Sequence, residues 1–336
     1  MSARVVPATP AAIARAADLL RAGGVVAFPT ETVYGLGADA RNVDAVRRIF
    51  AAKGRPADHP VIVHLAEASH VQRWARDVPP GARALADAFW PGPLTLILPR
   101  AAGVDDSVTG GQDSVGLRLP SHPVARALLR EFVARGGEGV AAPSANRFGH
   151  VSPTTAAHVD ADLGDEVAMI LDGGPSAVGI ESTIVAFVRE RAIVLRPGGI
   201  AVEALEGVLG APLQVTDSEA PRASGTLASH YATRTQAFLV PGDRLRAELA
   251  QRVDRDESVA VLARTHERPG DFDGAWRNAR FDADDYAHDL YANLRTMDGA
   301  RCSAILVEQP PLDAQWAAVH DRLTRAAAGS ALPDAT

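Results

Sequence analysis

Residues 25–37 read VVAFPTETVYGLG, and the fold class turns on how this stretch is read. Val25-Val26-Ala27-Phe28 is a short apolar run with the length of a buried strand, and Pro29 ends it in a turn. Thr30, Thr32, Gly35 and Gly37 follow at once, placing hydroxyls and small residues where a strand ends. Such residues suit close backbone approach to a polar ligand; taken alone, they are also an ordinary strand-to-turn connection. Upstream, residues 10–22 have helical spacing that stops at Gly23-Gly24. Downstream, Asn42 suits an N-cap for a helix with Val43, Val46, Ile49 and Phe50 on one face. Further strands are expected at 61–65, 94–98, 115–119, 139–143, 168–171, 182–188 and 192–196. Helices are expected near 67–76, 81–89, 122–134, 154–160 and 201–209. The pattern predicts a mixed α/β domain over 1–205, with one sheet and helices against it.

From 206 to 235 the periodicity fades into Pro, Ser, Thr and Gly. This is a long linker, and long irregular segments in compact proteins are often functional. A second α/β pattern occupies 236–336, with strands at 236–240, 258–263 and 303–308. Its helix over 283–298 puts Tyr286, Ala287, Leu290, Tyr291, Leu294 and Met297 on one face, which reads as core. A last helix covers 314–328. The alternation predicts a smaller Rossmann-like domain, without the G-x-G-x-x-G fingerprint that would mark a dinucleotide site.

Composition narrows the function. The 336 residues are 47% hydrophobic and 22% charged, ordinary for a soluble protein of about two domains. No apolar run approaches a membrane span, and the N-terminus lacks the signal-peptide pattern. Cys302 is the only cysteine, so no intrachain disulfide forms, a thiolate metal cage is disfavoured and a reducing cytoplasm fits. The net charge of −7 has the wrong sign for gripping nucleic acid through the overall field. P-loop, zinc-protease and esterase motifs are absent. Lys53 is the only lysine among 34 basic residues.

Several segments carry chemistry. Lys53 and Arg55 flank Gly54 at a helix end, where two cations repel unless an anion such as a triphosphate lies between them. A solvated helix C-terminus, which also welcomes cations, is the alternative. His59 and His64 follow, the latter inside an apolar strand. Arg118, within VGLRLP (115–120), needs a partner if buried: a substrate carboxylate or a structural Asp or Glu. Ala142-Pro143-Ser144-Ala145-Asn146 ends another strand in hydroxyl and amide groups. Ser152-Pro153-Thr154 resembles an N-cap, and helix N-termini attract phosphate.

The order of these segments resembles the threonylcarbamoyl-AMP synthase family with its YrdC-like catalytic domain. The matching stretches are PTETVYGLG (29–37), KGRP (53–56), HPVIVH (59–64), WPGPLTLIL (90–98), VGLRLP (115–120), APSAN (142–146), ESTIV (181–185) and LRPGG (195–199). SGTLASHYA (224–232) resembles the linker motif of the two-domain branch. The resemblance implies an open twisted sheet whose cationic concave face holds a nucleotide. It implies synthesis of threonylcarbamoyl-AMP and pyrophosphate from L-threonine, bicarbonate and ATP with Mg²⁺, a nucleotidyl transfer with no resident protein-bound metal. The product would pass to the tRNA threonylcarbamoyl-transfer machinery, with at most weak tRNA contact and no membrane. Threonine would be held by Thr32, His64, Arg118, Ala142 and Ser182. The nucleotide would meet Lys53, Arg55, His59, Ser114, Ser144, Asn146, Ser152, Arg196 and Tyr231, with Lys53 and Arg55 as the catalytic cations. His59 stands where asparagine is common, Ser114 where threonine is common, and Thr233 where proline is usual. The linker carrying His230 and Tyr231 is expected to act as a lid over the site. Other readings are a double-stranded RNA-binding module and a regulatory ATP-binding relative without synthase activity.

Overall fold

Runs of Val, Ile and Leu with period two form the strands, and runs with period 3.6 form the helices that cover them. The computed structural model describes residues 4–188, 191–213, 220–226 and 230–329. The chain divides into one unit of Met1–Phe148 with Pro153–Thr226 and another of Gly149–Ser152 with Leu227–Thr336. Residues 214–219 and 227–229 of the expected linker lie outside the described residues.

The first unit runs β1 (Val5–Pro7), α1 (Pro10–Arg21), β2 (Val26–Phe28), β3 (Gly35–Asp39), α2 (Val43–Lys53), β4 (Ile62–His64), α3 (Pro80–Phe89) and β5 (Leu94–Pro99). It continues with α4 (Asp106–Thr109), β6 (Ser114–Arg118), α5 (Pro123–Ala134), β7 (Val140–Ala141), α6 (Ala156–Leu163), β8 (Met169–Asp172), β9 (Thr183–Val188), β10 (Arg191–Arg196) and α7 (Val202–Leu209). The strands form one mixed sheet in the order β1-β8-β2-β3-β7-β4-β6-β5-β9-β10. The predicted cap of α2 is present: Asn42 Oδ1 accepts from the amide of Ala45 at 3.1 Å. Thr9 caps α1 in the same way, with Pro10 in the first turn.

Period two sorts the strand residues onto two faces. Ala27, Leu36, Val63, Leu96, Leu117 and Val185 lie on the first face in one large core, under α2, α3, α6 and α7. On the second face, the β8-β2-β3-β7 half buries Val26, Phe28, Val140, Met169 and Leu171 beneath α1 and α5. Each fully buried side chain of this kind contributes roughly 1.5–3 kcal/mol. Among the described residues, the β4-β6-β5-β9 half has no helix of its own on this face. There Ile62, Ile97, Ile184 and Ala186 pack with Ala223, from the described stretch of linker over residues 220–226.

Two readings of the first domain change. Gly35–Asp39 is a full strand, pairing antiparallel with β2 and β7. Its glycines make room for a neighbour: a Cβ on Gly37 would come within 2.7 Å of the Phe28 ring and 2.9 Å of Val140. A glycine-rich run has little strand propensity, and pairing on both sides overrides it. The helix expected near 67–76 is a short 3-10 helix over Ala68–Arg73.

The second unit adds β11 (Ala237–Val240), α8 (Gly242–Val253), β12 (Val259–Ala263), β13 (Ala275–Asn278), α9 (Ala283–Gly299), β14 (Ala304–Glu308) and α10 (Ala317–Gly329). Its sheet is parallel throughout, in the order β11-β14-β12-β13. The predicted face of α9 is buried, including Tyr286, Leu290, Tyr291 and Leu294. The edge strand β13 escapes sequence reading because AWRN is short and half polar. Among the described residues, no helix is long and apolar enough to cross a membrane.

Candidate active site

The half of the second face without a helix gathers most of the residues singled out from sequence. Register sets the arrangement. His64 pairs with Arg118 across β4 and β6, Arg118 with Thr95 on β5, and Thr95 with Ile184 on β9. This row of side chains shares a face with Ser114, Ala142 and Ser182 by the same alternation.

Arg118 is 4% exposed, and the open question of its partner is answered by a protein carboxylate. One terminal nitrogen donates to Glu31 Oε1 at 2.7 Å and the other to Thr32 Oγ1 at 2.8 Å. Glu31 Oε2 accepts from the amide of Ser121 at 3.1 Å. Burial opposes the charge on Glu31, but Arg118 and these hydrogen bonds outweigh it and hold the carboxyl below its ordinary range. A guanidinium has five N–H groups, so two engaged leave three, among them a buried Nε–H without a partner among the described residues. His64 Nδ1 is likewise buried and unpartnered. Burial, then the charge of Arg118, pushes this imidazole down to about 3, so it is neutral at physiological pH. Ser182 Oγ lies 2.8 Å from Thr95 Oγ1 and accepts from Arg196.

The two cations of KGRP are placed by a helix end. Gly54 takes the left-handed conformation, with φ 62°, and its amide and that of Arg55 close the last turn of α2 on Ala51 and Phe50. Lys53 ends 3% exposed and Arg55 9%. These are buried charges, so the solvated helix C-terminus is ruled out. Lys53 Nζ donates to the carbonyls of Ser144 at 2.6 Å and Asn146 at 2.5 Å, tying α2 to the APSAN segment. An ammonium has three donors, so one remains for a ligand. Arg55 donates to the Pro60 carbonyl, and its Nε is buried and unpartnered. Burial and then the neighbouring Arg55 drive Lys53 well below the usual ammonium range; burial lowers Arg55 to about 10. Two buried cations side by side, with donors to spare, are stabilised when an anion arrives.

Other residues take places that the sequence could not specify. Arg196 is buried and spends its donors on the carbonyls of Ser182 and Ser224 and on Ser182 Oγ, bringing positive charge behind Ser182. His59 stacks edge-on against Phe148, and burial with the charge of Arg55 lowers its basicity. Ser114 lines a small pocket of about 10 Å³ together with Ile62, Ile97, Gly116, Arg222 and Ser224. Over it, Gln112 clamps the linker by accepting from the Arg222 amide at 2.7 Å and donating to its carbonyl at 3.1 Å. Ser152 and Tyr231 belong to the second unit. There the Ser152 carbonyl accepts from Arg295, and Tyr231, with φ 62° and no exposed surface, stacks on Tyr291. Among the described residues, no three His, Cys, Asp or Glu side chains converge as metal ligands.

Sequence reasoning missed Glu31, Thr95, Gln112 and Arg222. Glu31 carried a signal: a carboxylate between two threonines at a strand end, with an apolar-strand arginine elsewhere in need of a counter-ion. The others are joined to the site only by strand register and by the path of the linker.

Comparison with known proteins gives the family of the chain. The Sua5/YciO/YrdC family model, described as telomere recombination, matches residues 18–198. A second model, described as the threonylcarbamoyl-AMP synthase C-terminal domain, matches 200–328. The threonylcarbamoyl-AMP synthase of Bacillus subtilis (strain 168) is 40% identical over 328 residues, covering 94% of this chain and 93% of that protein. That of Pyrococcus abyssi (strain GE5 / Orsay) is 38% identical, covering 93% and 92%. The crystal structure of P. abyssi Sua5 complexed with L-threonine superposes with a TM-score of 0.88 at 34% identity, covering 97% of each chain. With both of its domains matched and relatives this similar along nearly the whole length, the chain belongs to the two-domain branch of the threonylcarbamoyl-AMP synthase family.

Proposed function

We propose that this protein is an L-threonylcarbamoyladenylate synthase, a nucleotidyltransferase that uses L-threonine, bicarbonate and MgATP. The observation that carries the reading is that one unit holds two buried cations with spare donors at the end of α2 and a small polar pocket around Arg118 on the half of the sheet without a helix. The first suits phosphate oxygens and the second suits an amino acid. The threonylcarbamoyl-AMP synthase names of its relatives and the L-threonine bound by P. abyssi Sua5 support the same assignment.

In this reading the threonine carboxylate takes the remaining N–H groups of Arg118, and Thr32, neutral His64, Ser182 and the backbone at Ala142 surround the rest of the molecule. The amine attacks the carbon of bicarbonate or CO2, losing protons to give a carbamate, with water leaving when bicarbonate is used. A carbamate oxygen then attacks the α-phosphorus of ATP, and the bond to the β-phosphate oxygen breaks to release pyrophosphate. Negative charge shifts among phosphate oxygens during that step. Pre-placed cations that need no reorganisation are what such chemistry requires. Lys53 and Arg55 fill that role, with His59, Ser114, Ser144, Asn146 and Arg196 shaping the nucleotide side. Mg²⁺ enters with the nucleotide as part of the substrate. The carbamate and the adenylate both hydrolyse readily, so water exclusion matters, and the clamped linker over residues 220–226 serves as a cover. The product would supply tRNA threonylcarbamoylation in the cytoplasm.

The test is pyrophosphate release from MgATP with L-threonine and bicarbonate omitted in turn. Release that depends on all three supports the assignment; release indifferent to threonine or bicarbonate removes it.

A further inference from the structure

The charge balance around Arg118 has a consequence for ligand choice. Arg118 and Glu31 are both buried, at 4% and 7% exposure, and joined at 2.7 Å. With His64 uncharged, Arg118 and Glu31 offset each other as a pair. Arg118 by itself would attract any carboxylate. Paired with Glu31, it offers directed N–H groups beside a buried negative charge. A monoanion held by Arg118 sits close to the like charge of Glu31 in a poorly solvated place, which is costly. A zwitterion also brings an ammonium, which opposes the charge of Glu31 and offsets that cost.

The hydroxyls beside the pair are also fixed in direction. Thr30 Oγ1 gives its single proton to the Val33 carbonyl at 2.6 Å, so in its 2.9 Å contact with Thr32 the donor is Thr32. Thr32 therefore accepts from Arg118, has spent its own proton on Thr30, and meets a ligand only as an acceptor. The pocket thus presents N–H donors from Arg118, an acceptor from Thr32 and a carboxylate from Glu31, complementary to an α-amino acid.

We propose that Glu31 is a specificity-determining residue: by neutralising Arg118 it makes this pocket take a zwitterionic amino acid in preference to a carboxylate that lacks an ammonium group. The inference rests on the reading of Arg118 as the partner of the substrate carboxylate.

The experiment is calorimetric binding of L-threonine and of 3-hydroxybutanoate, which keeps the carboxylate and hydroxyl but has no ammonium. It is run on the full chain, on Glu31→Gln and on Glu31→Asp. In the unsubstituted protein L-threonine binds tighter. In Glu31→Gln the ratio of the two affinities falls by about tenfold or more, equivalent to ~1.4 kcal/mol, while Glu31→Asp, which keeps the charge, holds the ratio within about threefold of the parent. A purely structural role would weaken both ligands together and leave the ratio unchanged; an unchanged ratio in Glu31→Gln overturns the proposal. Should Glu31→Gln not fold, Glu31→Ser removes the same charge while leaving Arg118 in place to hold either carboxylate. It should lose the preference, and retention of the parent ratio would overturn the proposal equally. Failure of the unsubstituted protein to bind L-threonine would instead overturn the functional reading itself, so the two failures are separate.

Discussion

At one end of the second sheet face, Val26, Phe28, Met169 and Leu171 lie under α1 and α5. At the other end, Ile62, Ile97 and Ile184 share the same face with His64, Thr95, Arg118 and Ser182. Both halves belong to one sheet and follow one alternation, yet the first is closed by two amphipathic helices and the second by a few residues of linker. The difference lies in what the alternating positions contain. An all-apolar half gains most from a permanent helical cover. A half containing charged and hydroxyl groups would lose their solvation under such a cover, and it leaves Nε of Arg118 and Nδ1 of His64 unpaired. On this one sheet face, apolar burial marks the closed half, and the unpaired Arg118 and His64 nitrogens lie in the other half.

The largest effect is expected at the buried cation beside the Ser144 and Asn146 carbonyls, outside the closed half. Lys53→Ala should lower pyrophosphate release by roughly 10²–10³-fold, the loss typical when one pre-placed donor to developing charge is removed. The fold should survive, because the residue removed is a poorly solvated cation; near-normal turnover would break the assignment.

The mirror experiment is on the closed half. Leu128, fully buried on α5, should cost about 3 kcal/mol when changed to Ala, through lost burial and a residual cavity. Denaturant unfolding measures that loss. The Michaelis constants for threonine and ATP, taken well below the new melting temperature, should stay at parent values. A specific rise in the threonine constant would show that the two halves are coupled more closely than their separate cores suggest.

Acid separates the halves by a smaller amount. In the unfolded chain a histidine protonates near its ordinary value of about 6.5, whereas folded His64 stays neutral down to about 3. The folded state therefore binds fewer protons between those limits, and this contribution to stability is complete above the unfolded value and lost as pH falls. At about pH 5 the loss is roughly 2 kcal/mol relative to neutral pH. His64→Gln should lack it, so the stability gap between parent and variant should narrow between about pH 7 and pH 5 by that order. A gap that stays constant would mean that the folded imidazole protonates normally.

The smallest effect concerns the cover. Gln112→Ala removes two hydrogen bonds to Arg222, worth about 1 kcal/mol each at most in a part-exposed place. The linker should open a few-fold more often, read as faster tryptic cleavage after Arg222. Unchanged cleavage would mean that Ala223 and Arg196 hold this stretch without the clamp.

Much of the scaffold could be read directly because its signals are local. Asn42 caps α2, the tyrosine stripe of α9 is core, and apolar runs such as VIVHL and LTLIL contain strands. β3 and β13 were not legible, since neither glycine-rich nor half-polar residues favour a strand until neighbours pair with them. Site residues whose chemistry stood out against their surroundings were found: the only lysine, an arginine in an apolar strand, a histidine in another. Their partners were not.

By itself, then, the amino-acid sequence determined which groups are unusual and in what order they occur, because residue chemistry and period are properties of the chain. Tertiary structure alone decided that Arg118 meets Glu31, that Lys53 is held by the Ser144 and Asn146 carbonyls, and that Gln112 grips Arg222. Those contacts join residues from 87 to 110 positions apart. Contacts over such separations depend on strand order and register, which no local pattern encodes.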